Sequence, residues 1–159
     1  MEEILEIMEK NNKITPEEIA VMIGKDVAEI KRSIKKFEDD KVILGYNTLI
    51  NWEKTSKDSV IALIEVKITP QRGEGFDRIA KRISGYKEVK ACYLLSGGYD
   101  LHVCLEGKNL KEVSLFVSQK LATIENVLNT VTHFVLRKYK DEGIIFEENS
   151  KDTREAVVL

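Results

Sequence analysis

Residues 15–46 read TPEEIAVMIGKDVAEIKRSIKKFEDDKVILGY, and the first four of them form a complete helix start signal. Thr15 suits the N-cap position, because its hydroxyl can accept a hydrogen bond from a backbone N–H of the first turn. Pro16 suits the first helical position, and Glu18 can return a hydrogen bond to the N-cap residue as its partner in a capping box. The pattern therefore predicts a helix that begins immediately after Thr15.

A second helix start follows soon after, behind a glycine. Asp26 can cap this helix, with Glu29 three residues further on in the role that Glu18 has in the first helix. Gly24 lies between the two helices, where a glycine can end a helix in the left-handed conformation. Two short helices joined by a tight turn predict a helix-turn-helix, and the second helix of that motif is the one that enters the major groove of DNA.

The second helix has two different faces. Ile30, Ile34 and Phe37 recur at spacings of four and three, which predicts a buried stripe. Basic side chains lie largely off this stripe, and such side chains suit contacts to phosphates and guanine edges. The candidate DNA-binding residues are Lys25, Lys31, Arg32, Lys35 and Lys36. A basic surface can also be an ordinary solvated helix face, but the paired caps and the glycine turn favour DNA binding.

The positive charge of the chain is local. The formal net charge is -2, and residues 1–58 contain 10 basic and 13 acidic side chains, whereas the segment from Lys25 to Lys36 contains five basic and two acidic ones. Counterion release depends on the charges that meet phosphates, so the local excess is the relevant quantity. A single copy with this balance should bind DNA weakly. We therefore expect an oligomer that presents several copies to one DNA.

The segments that follow the second helix predict a boundary between two domains. Residues 42–46 are apolar and end in a turn residue, which predicts the first strand of a wing or linker hairpin. Residues 51–58 are polar and predict the connection between domains. The predicted division is 1–50 for a helix-turn-helix domain, 51–58 for the linker and 59–159 for a second domain.

The second domain alternates strand and helix patterns. All even-numbered positions from 60 to 68 are apolar, which predicts a strand with one face against a core, and strand patterns recur at 89–95, 99–105 and 127–137. Residues 76–83 have helical spacing, and a second helical stripe comprises Leu110, Val113, Val117 and Leu121. The order βαββαβ is that of a ferredoxin-like domain with both helices on one sheet face. The predicted fold class is α+β, with a winged helix-turn-helix followed by a ferredoxin-like domain.

The other face of this sheet has no predicted helix to cover it. If Gly97 and Gly98 form a hairpin turn, Tyr93 faces His102 and Ala91 faces Cys104. The resulting face is too apolar to remain exposed to water. We therefore expect two copies to pair sheet on sheet.

The whole chain resembles the Lrp/AsnC family of transcriptional regulators, also called feast/famine regulatory proteins. The similar segments lie in the family's order and at its spacing: 14–15, 18–20, Gly24, 30–38, 42–46, 96–101 and 135–143. One departure is that the Asp-x-x-Asp segment with which members usually open is shortened or absent before Ile4. The resemblance implies an N-terminal helix-turn-helix and a C-terminal ligand-binding and oligomerisation domain, paired into dimers that often stack further.

The turn at 97–100 is the candidate effector site. Glycines allow a ligand close to the backbone N–H groups, which can hold a carboxylate, while Asp100 can hold an ammonium group and Tyr99 can wall the pocket. A plain hairpin turn explains Gly97 and Gly98 equally well from local sequence. The resemblance favours an effector, because family members commonly bind amino acids between subunits near this turn. Thr130 and Thr132 are weaker candidates, since threonine is also a good strand residue.

Other chemistry is sparse. The two cysteines, Cys92 and Cys104, point to opposite sheet faces in the predicted register, and His102 and His133 have no Cys or Glu cluster near them in sequence, so we expect neither a disulfide nor a metal site. No cofactor motif is present. No apolar run is long enough to span a bilayer and the start lacks a signal peptide, so we expect a cytoplasmic protein. Residues 152–159 can add an edge strand or fray.

The leading function is that of a sequence-specific DNA-binding transcriptional regulator without enzymatic activity, modulated by an amino acid or a similar effector bound between subunits. The alternative is an enzyme like the sirohaem decarboxylases of the same fold, which needs a basic, histidine-containing tetrapyrrole pocket in place of a basic recognition helix. A stand-alone amino-acid sensor is a third class, and such sensors lack the first domain.

Overall fold

The computed structural model describes residues 2–69 and 75–146. The chain divides into two compact units, Met1–Ile50 and Asn51–Leu159. The first unit contains three helices, α1 (Glu2–Lys10), α2 (Pro16–Ile23) and α3 (Val27–Asp39). The second contains a four-stranded sheet with two helices on one face.

Helix α2 begins and ends as the sequence predicts. The Thr15 hydroxyl accepts a hydrogen bond from the Glu18 N–H at 3.2 Å, and the Glu18 carboxylate accepts one from the Thr15 N–H at 2.8 Å, so the capping box is complete. Gly24 follows the helix with φ of 67°, a left-handed conformation that glycine adopts without steric cost. Its N–H donates to the carbonyl of Ala20. These contacts confirm the predicted turn of the helix-turn-helix.

Helix α3 begins at the predicted cap, but one predicted partner acts differently. The Asp26 carboxylate accepts hydrogen bonds from the N–H groups of Ala28 and Glu29 at 2.8 and 3.3 Å. The predicted capping-box role of Glu29 is wrong, because its carboxylate binds the Lys25 ammonium at 2.6 Å instead. A full positive charge attracts a carboxylate more strongly than a neutral backbone N–H does.

The three helices enclose a small apolar core. Ile4, Ile19, Ala20, Ile30 and Phe37 are buried there, and Ile34 packs half-buried against them. The predicted stripe of α3 is thereby confirmed.

Residues 42–46 do not form the predicted strand. The structure describes no strand between residues 2 and 59, and the N–H groups of Val42 and Ile43 both donate to the carbonyl of Phe37 at the end of α3. The start of this segment therefore terminates a helix. An apolar run becomes a strand only where a neighbouring strand accepts its backbone hydrogen bonds, and the pattern alone does not supply one. A short 3₁₀ turn, Trp52–Lys54, opens the second unit.

The second unit is an antiparallel sheet of β1 (Val60–Ile68), β2 (Val89–Leu94), β3 (Leu101–Gly107) and β4 (Val127–Phe134), in the order β2-β3-β1-β4. Helix α4 (Asp77–Ser84) follows β1, and helix α5 (Leu110–Phe116) follows β3. The βαββαβ order and the helical first unit confirm the predicted fold class. The predicted hairpin register is also confirmed, because Ala91 lies opposite Cys104 and Tyr93 opposite His102.

The core of the second unit lies between the sheet and its two helices. Its buried side chains come from β1, β3, α4, α5 and the turns after α5: Ala62, Ile64, Val66, Ile68, Ile79, Ile83, Leu101, Val103, Leu105, Val113, Phe116, Leu121 and Ile124. Leu110, predicted as part of the α5 stripe, is 57% exposed, whereas Phe116 is buried. The exposed Leu110 is the first residue of α5. The chain continues from α5 into a π-helical segment, Val117–Leu121, in which Leu121 is buried and Val117 packs half-buried against the same core, as the stripe predicts.

A small hairpin follows the sheet. Strands β5 (Lys140–Asp141) and β6 (Ile144–Ile145) pair across a two-residue turn of Glu142 and Gly143, which have φ of 46° and 78°. Two successive positive φ values are those of a type I′ turn, the tight turn that fits the twist of paired strands. The predicted edge strand at 152–159 lies outside the described residues.

Asp100 fastens the β2–β3 turn to the end of β1. Its carboxylate accepts hydrogen bonds from the Ile68 N–H at 2.8 Å and from the Lys67 ammonium at 3.3 Å, and its own N–H donates to the Val66 carbonyl at 3.0 Å. The pairing of β1 with β4 is irregular between Lys67 and Ile68, so the Asp100 side chain satisfies a backbone group at the point where the ladder shifts.

We expect Asp100→Ala to destabilise the second unit by about 1–3 kcal/mol, because it leaves the Ile68 N–H without its acceptor. Asp100→Asn keeps one side-chain oxygen and should cost less. Urea unfolding followed by the fluorescence of Trp52, the single tryptophan, measures both. An Ala variant as stable as the wild type would contradict this role.

Candidate DNA-binding and effector sites

The basic side chains of α3 lie on its exposed side. Lys31, Arg32, Lys35 and Lys36 are all exposed. Because successive helical residues turn by about 100°, Arg32 and Lys36 lie roughly 200° and 240° around the axis from buried Ile30. The outer surface of α3 therefore presents positive charge directly opposite its apolar stripe. This is the arrangement that a recognition helix requires.

Two of the five candidate cations are engaged by carboxylates of the same unit. The Lys31 ammonium lies 2.7 Å from a Glu17 carboxylate oxygen of α2, and this ion pair lowers the pKa of Glu17. Lys25 binds Glu29 within its own turn. Both pairs are exposed, and such pairs contribute little to stability. Glu17 was not anticipated from the sequence, because its contact with Lys31 joins two helices.

The sheet face opposite the helices is open. It contains alternate residues of all four strands, with Ile61, Leu63 and Glu65 from β1, Tyr93 from β2, His102 and Cys104 from β3, and Val131 and His133 from β4. Ile61 and Leu63 are only partly buried, and Tyr93 is 58% exposed. The face thus combines apolar side chains with two acidic residues, Glu65 and Glu106, the second of which lies opposite Ile61.

Both histidines of the chain lie on this face. The His102 ring stacks on that of Tyr93 at a centroid distance of 6.5 Å, and the Nε2 of His133 lies 3.4 Å from a Glu65 carboxylate oxygen. Among the described residues, no group of three or more His, Cys, Asp and Glu side chains could hold a metal ion. Cys92 packs against the helix-side core whereas Cys104 faces the other way, and burial raises the pKa of both thiols.

The β2–β3 turn contains the two candidate glycines in an unexpected conformation. The Leu95 N–H still donates to the Asp100 carbonyl at 2.8 Å, but neither Gly97 nor Gly98 has a positive φ. A Cβ atom added at either position would meet no atom within 4 Å. The fold of one chain therefore does not require glycine here, neither for backbone conformation nor for space. Without side chains at these two positions, the backbone of the turn is open to approach from outside the chain.

The other candidate effector residues differ in how they are placed. Tyr99 is half-exposed in the turn, and Asp100 is committed to the backbone of β1. Thr130 and Thr132 are half-buried on the helix side of β4, opposite Val66 and Ile64. Thr130 is thus at the same end of the sheet as the turn, two strands away, and Thr132 is further from it.

Asn126 was not anticipated as a site residue. It lies just before β4 with φ of 72°, and its carbonyl accepts a hydrogen bond from the Thr69 N–H at 2.9 Å. Its side-chain nitrogen is buried and makes no hydrogen bond to the described residues. The only sequence signal was an asparagine before a strand, a residue that tolerates the left-handed conformation.

None of the described helices is long and apolar enough to cross a membrane.

Two family models together match most of the chain. The model for the Lrp/AsnC ligand binding domain matches residues 61–145, and a winged helix-turn-helix DNA-binding model matches residues 2–43. The helical unit and the sheet unit thus each match a family model.

Relatives match over nearly their whole lengths. The chain is 46% identical over 153 residues to YugG, an HTH-type transcriptional regulator of Bacillus subtilis, covering 96% of this chain and 92% of the relative. It is 32% identical over 139 residues to an HTH-type transcriptional regulator of Pyrococcus abyssi, covering 87% of this chain and 91% of that one.

The fold matches solved structures as well. A transcriptional regulator from Neisseria meningitidis, determined as an L-Met complex, superposes with a TM-score of 0.70 at 23% identity, covering 87% of this chain and 89% of that one. The two matched domains, and the 46% identity to a relative aligned over 92% of its length, lead to one conclusion: the chain belongs to the Lrp/AsnC family of DNA-binding transcriptional regulators.

Proposed function

We propose that this regulator reads its operator through the outer face of helix α3. The observation that supports this most directly is the exposure of Arg32, Lys35 and Lys36 opposite the buried stripe of the same helix. Lys31 and Lys25 add positive charge at the start of this surface, where their carboxylate partners can exchange for phosphates. Phosphate contacts supply most of the affinity, and Arg or Lys contacts to guanine edges supply sequence preference.

Replacing Arg32 and Lys36 together with alanine should abolish operator retention in gel shifts, with the oligomer mass unchanged. Each lost phosphate contact also lowers the slope of log affinity against log salt by about 0.9. Titrations at several salt concentrations measure both quantities, on an operator selected from random DNA.

The matched control replaces Lys10 and Lys13, two exposed lysines outside α3, and removes the same charge. Equal losses in the two double variants would contradict the recognition-helix assignment, because the effect would then depend only on net charge.

We further propose that two chains pair through their open sheet faces. The face displays Ile61, Leu63, Tyr93 and Val131, and several partly exposed apolar side chains on one sheet face are normally covered in a soluble protein. Pairing about a two-fold axis would cover both copies with the same residues. It would also place two DNA-binding helices in one particle, which compensates for the net negative charge of each chain.

Adjacent residues of β2 allow a matched test of this pairing. Tyr93 points to the open face and Leu94 to the helix side, and they are 58% and 60% exposed. We expect Tyr93→Lys to produce a smaller species in sedimentation at micromolar concentration, because it places charge in the interface, and Leu94→Lys to leave the mass unchanged. Identical behaviour of the two variants would count against the face.

The third proposal is that the β2–β3 turn binds the carboxylate of a small effector, an amino acid being the best fit. It is supported by two adjacent glycines that the chain itself does not need, and by a solved neighbour of the same fold that was determined with L-Met. Tyr99 flanks the proposed site, with Thr130 two strands away on the helix side of β4 and Thr132 further from the turn. Asp100 contributes mainly by holding the turn, since its carboxylate is already bonded to β1.

Effector and DNA are proposed to be coupled through the assembly. An effector at the turn that binds one arrangement of subunits better than another shifts the population toward that arrangement. The spacing of the DNA-binding helices then changes, and by reciprocity DNA changes the affinity for the effector. This function involves no catalytic step. A protein with this role acts in the cytoplasm, where it meets genomic DNA.

Gly97→Ala should separate effector binding from folding. Its added methyl has open space in one chain, so the melting temperature without ligand should change little. If the effector lies against the backbone of the turn, the added methyl group clashes with it and should weaken effector affinity by about tenfold. A thermal-shift screen of the common amino acids identifies the ligand and measures the loss. An unaltered ligand response in the variant would remove this turn from the site.

A further inference from the structure

Helix α2 has an apolar surface that its own domain leaves exposed. Val21 is 85% exposed and Met22 63% exposed, whereas Ile19 and Ala20 of the same helix are buried. Val21 and Met22, together with Ile14, line a shallow groove of about 510 Å³ on the first unit. The other lining residues are Asn11, Glu17 and Glu18.

This groove borders the proposed DNA surface at Glu17 and extends away from it to Met22. Glu17 marks the side of α2 that meets α3, through its ion pair with Lys31. Met22 lies about 140° further around α2, since each residue turns by about 100°. The carboxylates on the rim would also repel phosphates. A ligand of the groove is therefore something other than the DNA backbone.

The charge on the rim is unequal. Glu17 is neutralised by Lys31 at 2.7 Å, but the Glu18 carboxylate accepts hydrogen bonds from the N–H and the hydroxyl of Thr15, which are neutral donors. These bonds lower the pKa of Glu18, so it remains ionised at neutral pH. In the protein without DNA, one uncompensated negative charge thus lies one helical turn from the exposed methionine, and Glu17 adds a second one where Lys31 binds a phosphate instead.

The charge distinguishes between possible occupants. A second copy seated on the same groove would bring its own Glu18 toward this one, which is unfavourable. A segment with aliphatic side chains and flanking cations satisfies both the apolar floor and the acidic rim. Amphipathic helices bind grooves of this form with anchors three or four residues apart.

We propose that the α2 groove binds a basic amphipathic helix of another protein, with its aliphatic anchors against Val21 and Met22 and a Lys or Arg at Glu18. This interaction goes beyond operator and effector binding. It rests on the proposed function only in that the partner would meet a DNA-bound regulator. It would let the regulator recruit a second protein through a surface that DNA leaves open.

Designed peptides test the proposal on the full-length protein. One is helical, with leucines at i, i+3 and i+7 and flanking lysines and arginines; the second has the same leucines flanked by glutamates; the third keeps the cations but replaces the leucines with serines. In protein labelled with ¹³C at the methionine methyls, we expect the first peptide to shift Met22 and leave the half-buried Met8 unmoved. The other two should bind at least about tenfold more weakly.

Variants of the groove identify its contribution. Replacing Val21 and Met22 with serine should weaken the first peptide about tenfold, read by anisotropy of a labelled peptide, whereas Leu44→Ser, at an 87% exposed site of the same unit, should not. Glu18→Gln keeps a capping-box side chain and should reduce the preference for basic over acidic peptide.

Three binding results would each overturn the proposal: equal binding of the two leucine peptides, no shift of Met22 at millimolar peptide, or a serine double variant that binds normally. Loss of self-association in the serine variant would assign the groove to a second copy and likewise overturn it. DNA binding by α3 and peptide binding by the α2 groove can be tested independently. The serine variant should still shift DNA in the gel, and the Arg32 and Lys36 double variant should still bind the first peptide.

Discussion

The burial of Ile30 and Phe37 fixes how helix α3 is turned about its own axis, and the proposed contact with DNA depends on that rotation. Each such side chain contributes roughly 1.5–3 kcal/mol when it leaves water. An exposed ion pair such as Lys31–Glu17 contributes little, because water screens both charges. The apolar stripe therefore decides the orientation of the helix, and the basic residues face outward as a consequence. The charges are then free to serve recognition, because stability does not depend on them.

Charge and apolar surface also have separate roles in the two units of the chain. The net charge of -2 gives the chain as a whole no attraction for DNA, so the proposed binding depends on a small basic surface used more than once. The proposed pairing through the open sheet face, which extends over all four strands, would supply the second copy. In this proposal, weak DNA binding by each helix is compensated by the pairing of the sheets. A regulator built in this way can be controlled at the pairing step without any change in the helix that reads DNA.

The features that sequence predicted correctly are those decided by neighbours in the chain. The Thr15–Glu18 box, the left-handed Gly24 and the alternation of β1 depend on residues within a few positions, so their patterns were sufficient. The errors concern features that local spacing does not decide. Residues 42–46 had a strand composition but no strand beside them, and Leu110 had the spacing of the stripe but lies exposed at the first position of its helix. The β5–β6 hairpin is too short for a periodic signal.

The candidate sites follow the same rule. The exposure of the basic residues of α3 could be predicted from this helix alone, because the buried apolar stripe of the helix determines which of its residues face outward. The role of Asp100 was missed, because its acceptor function joins residues 32 positions apart in the sequence. Sequence suggested a free carboxylate for an ammonium group, whereas the structure gives that carboxylate a backbone N–H and a lysine.

This placement of Asp100 makes the proposed coupling physically direct. The carboxylate links the glycine turn to β1 at the irregularity between Lys67 and Ile68, and β1 is the central strand that bonds to both β3 and β4. A ligand that pulls on the turn therefore acts on the strand whose other side chains, Leu63 and Glu65, lie in the proposed subunit interface. Because hydrogen-bonded strands move together, a small displacement at the turn reaches the open face without a separate moving part. The proposed effector site and the proposed pairing surface thus share strand β1, and this is the route by which we propose that one biases the other.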